Sequence, residues 1–341
     1  MAAAGTRQAV KWRSAVGLIL GAAVLAATLV YAGAAAVVRS FERLRFTGLI
    51  IIVLAHLPIV ALMGIAWRQA AGSTAIASPR RFMWARLVRD AAAETLPFSQ
   101  LGGFVLGVRA LRLAAPAALR GVLSMSVDLV VELGAKLPYV LAGVLTLLAL
   151  APGSGLLRPL GIGLVLTALA VMIPMLGRRR LGNAFQRLIR KVSQRWPVLA
   201  SLQRLHAQGD INTVLDDILS HRGRLGVGFG LHVLCWFLGA AELWLVFHLL
   251  GRPVSPLRAL VIDGVVAGLR TFVFMVPAAA GVQEASYVLA CAAFGIAPAS
   301  AVAASLARRA RDLTLGAATL AVAVGTDRAL IRGRRETSCG S

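Results

Sequence analysis

The sequence predicts an all-α fold, namely a polytopic helical membrane protein with two broken or re-entrant helix pairs arranged as an inverted repeat. Hydrophobic residues make up 58% of its 341 positions and charged residues only 15%, with a mean hydropathy of +0.79. Soluble domains are far more polar. Apolar runs of about 20 residues, the length that spans a bilayer, recur along the chain. Residues 1–341 are therefore predicted to form a single integral membrane domain.

The formal charge of +22 also agrees with membrane topology. The arginines lie in short runs between the apolar segments, as in the cytoplasmic loops of membrane proteins, and few aromatic residues lie among them to stack on bases. The three cysteines, Cys235, Cys291 and Cys339, show neither paired nor metal-ligand spacing. The sequence predicts a lipid bilayer as the partner, and no nucleic acid, metal or cofactor.

Two membrane spans are predicted near the N-terminus. Residues 15–38 form the first, and the basic residues within 1–14 place the N-terminus in the cytoplasm. A cleaved signal peptide is the alternative, although this apolar run is longer than the usual hydrophobic region of such a peptide. Residues 46–66 form the second span, and the arginine-rich loop that follows it is predicted to be cytoplasmic.

The first broken helix pair is predicted over residues 84–113, which are too polar to face lipid and too apolar for a loop. Pro97 and the glycine pair ending at Gly103 interrupt it. Broken backbone at membrane depth is tolerated only against protein or a water-filled cavity. A helix–break–helix that enters and leaves on one side of the membrane fits this pattern best.

A stripe of charge marks the next predicted span, residues 117–150. Asp128, Glu132 and Lys136 recur at i, i+4 and i+8, so they share one helix face, with Glu132 and Lys136 expected to form an ion pair. That face must point into the bundle. An external turn is predicted at residues 152–155, followed by a return span over 156–176.

Residues 177–224 form the one substantial polar excursion, a basic loop that its charge places in the cytoplasm. Apolar residues recur within it at helical spacing beside basic ones: Phe185, Leu188, Ile189 and Val192. This pattern indicates an amphipathic helix on anionic lipid, and a solvated connecting loop with a short helix is the alternative.

The last third of the chain carries charges inside apolar sequence. His232 and His248, in a predicted span over 225–250, are expected to be interior hydrogen-bonding or interface residues. A second break is predicted at Pro277, within 257–316. An ionisable group at membrane depth costs at least about 2.5 kcal/mol, so these charges indicate a cavity lined by protein or water. The predicted substrate-binding residues are Asp128, Glu132, Glu242, Arg270, Pro277, Gly281, Gln283, Glu284, Arg308, Arg309, Arg311 and Asp312.

Landmarks recur in the same order in two parts of the chain. The first series is Asp90, Pro97, Gly103, Pro116 and Asp128, and the second is Asp263, Pro277, Gly281, Pro298 and Arg308. The first unit follows a cytoplasmic loop and the second an external turn, so the units would be inverted, with a substrate site between them near the bilayer midplane. This topology has six spans and two re-entrant pairs, and the alternative has about eight crossings.

Known catalytic and nucleotide-binding motifs are missing from the sequence. Arg270, Arg308, Arg309 and Arg311 are instead fixed cations whose forked donors suit phosphate, sulfate or carboxylate groups. They predict an amphiphilic client with an anionic or polyhydroxylated head. The alternative is a structural ion-pair network of these arginines with Asp263, Glu284 and Asp312.

Residues 277–284 (PAAAGVQE) and 305–313 (SLARRARDL) carry a family resemblance. They resemble the lysylphosphatidylglycerol synthase transmembrane-region superfamily, and within it the hopanoid-biosynthesis-associated membrane protein family. This chain departs from the family pattern by having Ala278, Ala279 and Ala285 where glycines are usual. The resemblance covers most of the chain.

The resemblance implies transport or flipping of an amphiphilic, hopanoid-related lipid across the bacterial inner membrane. A membrane-embedded enzyme that modifies lipid headgroups, or an accessory subunit that contacts lipid-biosynthesis enzymes, is the alternative. With the cost of buried charge, the resemblance also leads us to expect that Glu284 and Arg311 face one central cavity together with Arg270 and Asp128.

Overall fold

The computed structural model describes residues 30–31, 33–72, 76–95, 99–113, 117–177, 211–270 and 281–339. These residues form helices and connecting turns, and no strand occurs among them, which confirms the all-α prediction. The helices are α1 (Ala34–Glu42), α2 (Arg45–Ala70), α3 (Pro79–Thr95), α4 (Ser99–Ala110), α5 (Ala117–Leu150), α6 (Leu157–Leu176), α7 (Ile211–Ser220), α8 (Arg222–Leu249), α9 (Pro256–Arg270), α10 (Val282–Ala292) and α11 (Pro298–Cys339).

Helices α2, α5 and α8 are long and apolar enough to cross a membrane, and within the described residues they are the three that meet both conditions. They coincide with the spans predicted at 46–66, 117–150 and 225–250. Helix α2 packs along α8, and α5 packs against both. Helix α6 covers the predicted return span and is apolar over Leu160–Ile173.

The predicted first span differs from the structure at its C-terminal end. Residues 15–29 lie outside the described part of the chain. Gly33 adopts a φ of +77°, which a continuous α-helix does not allow, so α1 begins only at Ala34. The apolar run to Val38 is therefore divided at Gly33 rather than forming one unbroken helix.

Helices α3 and α4 form the first predicted helix pair and pack antiparallel. A Cβ added to Gly103 of α4 would lie 2.6 Å from the carbonyl oxygen of Arg89, and one added to Gly107 would lie 2.8 Å from the Cβ of Arg89. The two glycines thus let α4 approach α3 closely. Pro97, the predicted break, lies outside the described residues.

The second pair consists of α9, which ends at Arg270, and α10, which begins after Gly281. Gly281 has a φ of +78°, so the chain enters α10 through a turn that favours glycine. Pro277 lies outside the described residues. Contacts cross between the two predicted units, because α3 packs against α11 while α9 packs against α5.

The end of the predicted cytoplasmic loop is packed on the bundle. Helix α7 buries Ile211 and Ile218 against apolar residues of α5 such as Leu123. Arg120 of α5 also lies 2.7 Å from a carboxylate oxygen of Asp217. Residues 211–220 are therefore a docked amphipathic helix, while the stretch predicted to be amphipathic, 185–192, lies outside the described residues.

Candidate functional site

Charged side chains from α3, α5 and α8 meet inside the bundle in what we name the first charge cluster. Its members are Arg86, Arg89, Asp90, Asp128, Glu132 and His232. Arg86, only 3% exposed, donates two parallel hydrogen bonds of 2.9 Å to the carboxylate of Glu132 and one of 2.8 Å to Asp90. Arg89 adds a bond of 3.3 Å to Glu132. Paired, forked bonds of this kind stabilise charge where water is excluded.

Asp128 and His232 form the most deeply buried part of this cluster. Their exposures are 1% and 0%, and Nε2 of His232 lies 2.9 Å from Oδ1 of Asp128. Oδ2 of Asp128 lies 3.6 Å from Nη1 of Arg86. Neither that oxygen nor Nδ1 of His232 has a hydrogen-bond partner among the described residues. Buried polar atoms rarely lack a partner, so this pair is unusual.

A second charge cluster is centred on Glu242 of α8, which is 3% exposed. Arg311 of α11 donates a hydrogen bond to its Oε1, and Nε of Arg308 lies 3.5 Å from the same oxygen. Nδ1 of His56, from α2, lies 2.7 Å from Oε2. One carboxylate thus joins three helices that are distant in sequence.

Arg308 extends the second cluster to α9 and α10. It donates to Oδ1 of Asp263 and, at 2.8 Å, to the hydroxyl of Tyr287. The hydroxyl of Tyr139 in α5 donates to the other oxygen of Asp263 at 2.5 Å. The polar atoms of this buried carboxylate are thus satisfied by protein groups.

Glu284, in the first turn of α10, is fully buried and links that helix to α11. Its carboxylate accepts the backbone N–H of Gly281 at 2.8 Å and the hydroxyl of Ser305 at 3.3 Å. Arg309 donates to the same carboxylate at 3.0 Å. The amide of Gln283 donates to Ser305 at 3.1 Å. The residues from Gly281 to Glu284 therefore cap α10 and fix it against α11.

A small cleft with an interior volume of about 30 Å³ lies between the two charge clusters, walled by α2, α3 and α11. Its polar lining consists of His56, Asp90, Glu94 and Asp312, and its apolar lining of Val60, Leu87, Ala91, Leu315 and Gly316. Three of the lining carboxylates each bind an arginine: Asp90 binds Arg86, Glu94 binds Arg270 at 3.1 Å, and Asp312 binds Arg311 at 2.6 Å. Each carboxylate is thus held in place by an arginine.

In a comparison with known protein families, residues 14–319 match the model of the family described as "Lysylphosphatidylglycerol synthase TM region". The chain belongs to this family. The match confirms the predicted superfamily and makes the chain a membrane protein of a family involved in lipid handling. No curated protein and no solved structure matches the chain. The hopanoid-associated subfamily stays a prediction.

In this family member, the predicted site residues divide between the two clusters. Asp128 and Glu132 lie in the first. Most of the others lie in or beside the second: Glu242, Gly281, Gln283, Glu284, Arg308, Arg309, Arg311 and Asp312. Arg270 binds Glu94 at the cleft. Pro277 lies outside the described residues.

Three of the four arginines make the ion pairs that the structural alternative predicts, with Arg308 on Asp263, Arg309 on Glu284 and Arg311 on Asp312. The fourth, Arg270, binds Glu94 instead. The lining of the cleft, as far as the chain is described, includes none of the four residues expected to face one cavity, which were Asp128, Arg270, Glu284 and Arg311. Arg270 and Arg311 instead bind carboxylates of the lining.

Sequence reasoning missed His56, Arg86, Asp90 and Glu94 as parts of the site. The signal for three of them was present, because residues 86, 90 and 94 recur at i, i+4 and i+8 within apolar sequence, as residues 128, 132 and 136 do. Both arginines that bind Glu132 come from α3. Lys136, one turn beyond Glu132, lies with its ammonium 5.3 Å from the ring centre of Trp236.

Asp128, Glu132 and His232 offer one ligand atom each within 4.8 Å of one another, as in a metal site. Both oxygens of Glu132, however, accept hydrogen bonds from Arg86, and Arg89 binds one of them as well. A divalent cation would have to lie beside two guanidinium groups that repel it. The donor set therefore does not fit a metal ion.

Proposed function

We propose that this chain transports an amphiphilic lipid, hopanoid-related and polyhydroxylated, from one leaflet of the bacterial inner membrane to the other. The observation that carries the proposal is the cleft between the two charge clusters, which four ionisable side chains line. A family of lipid-handling membrane proteins gives the context.

The cleft is narrow and would have to widen to admit a headgroup. Its interior volume is about 30 Å³, room for roughly two water molecules. A headgroup would therefore enter only after the walling helices α2, α3 and α11 move apart. The hydrocarbon part of the client would stay in the bilayer, beside large exposed apolar side chains of α2 and α11 such as Leu54 and Leu313.

The chemistry of the lining favours a hydroxyl-rich head over an anionic one. Asp90, Glu94 and Asp312 present hydrogen-bond acceptors to the cleft, and His56 presents an imidazole. The arginines that would attract an anion are already bound to carboxylates. A phosphate or sulfate in the cleft would meet like charge, while hydroxyl groups would find acceptors.

The helix arrangement supports alternating access. In many secondary transporters, two inverted units with broken helices rock against each other around a central site. Here the contacts of α3 with α11 and of α9 with α5 cross between the two predicted units. We propose that these two interfaces move relative to each other while the cleft opens first to one leaflet and then to the other.

Reconstitution in proteoliposomes tests the proposal. A fluorescent phosphatidylglycerol and an isotopically labelled hydroxylated hopanoid are each placed in one leaflet, and arrival in the other is followed by quenching or extraction. We expect the hopanoid to move in a protein-dependent way and to be recovered chemically unchanged. Absence of movement for every probe would overturn transport, and an altered headgroup would favour the enzyme alternative.

A further inference from the structure

We propose that Asp128 and His232 together bind one exchangeable proton inside the membrane, and that this proton drives lipid movement. The second half rests on the transport proposed above. The first half concerns the pair alone and can be tested without any lipid client.

The pair has two buried polar atoms that lack a hydrogen-bond partner among the described residues. Nε2 of His232 and Oδ1 of Asp128 share one hydrogen bond of 2.9 Å. Oδ2 of Asp128 and Nδ1 of His232 lack a hydrogen-bond partner within the described residues, although both side chains are at most 1% exposed. Two buried acceptors left without a hydrogen bond, one on each residue of the pair, form a site that a proton can occupy.

The charge of the first cluster is least balanced at the Asp128–His232 pair. Arg86 and Arg89 oppose three carboxylates, and Lys136, one turn beyond Glu132 on α5, adds a further positive charge near Glu132. Asp90 and Glu132 are 29% and 17% exposed, whereas Asp128 and His232 are at most 1% exposed, so an unbalanced charge is costliest on the pair. One proton added to Asp128 and a neutral His232 leaves the pair with no net charge.

The proton has a defined place. A neutral His232 with its hydrogen on Nε2 donates that hydrogen to Asp128 and leaves a lone pair on Nδ1. The incoming proton binds either that lone pair, giving an imidazolium, or Oδ2 of Asp128, giving a carboxylic acid. No other bond forms or breaks, and the same proton leaves when the pair is emptied.

The groups around the pair come from four helices. Helix α3 contributes Arg86, Arg89 and Asp90, and α5 contributes Glu132. Helix α8 contributes the buried thiol of Cys235. From α2, the indole of Trp67 donates at 3.1 Å to Ser124, one turn before Asp128.

Arg86 connects the pair to the cleft. Its Nη1 lies 3.6 Å from Oδ2 of Asp128, and its Nε donates to Asp90, which lines the cleft. A proton on Asp128 or His232 weakens the attraction between Asp128 and Arg86. Arg86 is then held by Glu132 and Asp90, so proton binding changes how strongly Arg86 neutralises Asp90 at the cleft.

Infrared difference spectroscopy of the purified chain in nanodiscs tests proton binding directly. The probe is the proton itself, added by changing pH. We expect one carboxyl or imidazole group to titrate in the native chain and to be lost in Asp128→Asn and in His232→Gln. His248→Gln is the matched control, since His248 is exposed on the same helix and bonds only to the carbonyl of Trp244 among the contacts described. Size-exclusion profiles identify any variant that fails to fold. If only one of Asp128→Asn and His232→Gln folds, that variant alone is enough for the test.

The coupling is measured in proteoliposomes with the hopanoid probe and an imposed pH difference of about one unit, with potassium and valinomycin equal on both sides. For one proton per lipid, the ratio of the probe between leaflets shifts about tenfold. Asp128→Asn and His232→Gln should abolish this shift, and His248→Gln should keep it.

Each result decides a different point. Absence of a titrating infrared signal in the native chain would overturn the proton site. Stoichiometric metal in the purified native chain, absent from the Asp128→Asn variant, would also overturn it. A normal infrared titration with a leaflet ratio that ignores the pH difference would overturn the coupling. Failure of every lipid probe to move would overturn the transport on which the coupling rests, while the infrared result would still decide the proton site.

Discussion

Arg311 of α11 donates a hydrogen bond to Glu242 of α8, and both residues are at least 95% buried. The same arginine binds Asp312, which lines the cleft. This contact therefore joins a long apolar helix to the wall of the candidate site. A buried ion pair contributes little net stability compared with apolar packing, so its presence indicates positioning of charge rather than strengthening of the fold.

Arg311→Ala is expected to abolish lipid movement while the protein still inserts and accumulates. Asp312 loses the arginine that holds it at the cleft, but Glu242 keeps His56 at 2.7 Å and Arg308 at 3.5 Å as neighbours. Transport in proteoliposomes and protein yield from membranes measure the two effects. Arg252→Ala, at an exposed position, is the control. Full transport by Arg311→Ala would mean that this charge only anchors the helix.

Glu284→Gln is likewise expected to abolish lipid movement while the protein still inserts and accumulates. The glutamine oxygen can still accept the backbone N–H of Gly281, so the cap of α10 persists, but the charge opposite Arg309 is removed. Transport should be lost with near-normal accumulation. Glu284→Ala should in addition lower the free energy of unfolding by about 1–3 kcal/mol, because the buried N–H loses its acceptor. Equal denaturation midpoints for the two variants would contradict this role.

Arg86 and Glu132 should show strong energetic coupling. Removing either one leaves a buried charge, which costs about 3–5 kcal/mol. The double variant Arg86→Met/Glu132→Leu is expected to cost less than the sum of the single variants by about 0.5–3 kcal/mol. Denaturation in detergent measures the cycle. The matched control is Arg120 with Asp217, whose side chains are 19% and 41% exposed and whose coupling should stay within about 1 kcal/mol.

Filling the cleft should block transport without changing charge. Leu315→Trp adds an indole to the apolar lining and should reduce lipid movement sharply. Val322→Trp is the control, since Val322 lies two turns away on the same helix and is 53% exposed. Equal transport rates for the two variants would show that the client does not enter this cleft.

Close packing of α2 on α3 should make Gly64 intolerant of a side chain. A Cβ at Gly64 would lie 2.6 Å from the Cα of Met83, a backbone atom that cannot move freely. Gly64→Ala is therefore expected to destabilise the protein by about 1–3 kcal/mol. Gly161→Ala, in α6, has no atom within 4 Å of the new methyl group and should be neutral or stabilising. A shared melting temperature for the two variants would argue against this interface.

Composition and local periodicity were enough to predict much of the fold. Runs of apolar residues gave α2, α5 and α8, because a spanning helix needs about 20 such residues whatever its neighbours are. Charges inside those runs marked buried polar positions, since a charge at membrane depth must face protein or water. The i, i+4 spacing placed Asp128 and Glu132 on one face of α5.

The tertiary structure alone decided which charges meet. His56 and Glu242 are 186 residues apart, and Arg270 and Glu94 are 176 apart, so no local pattern relates them. Their pairing depends on how α2 packs along α8 and how α9 approaches α3. The sequence by itself therefore determined that buried charge must exist in this protein. Helix packing determined that its arginines bind carboxylates and that Asp128 and His232 are left with unpaired atoms, because partner choice depends on distances that only the folded bundle sets.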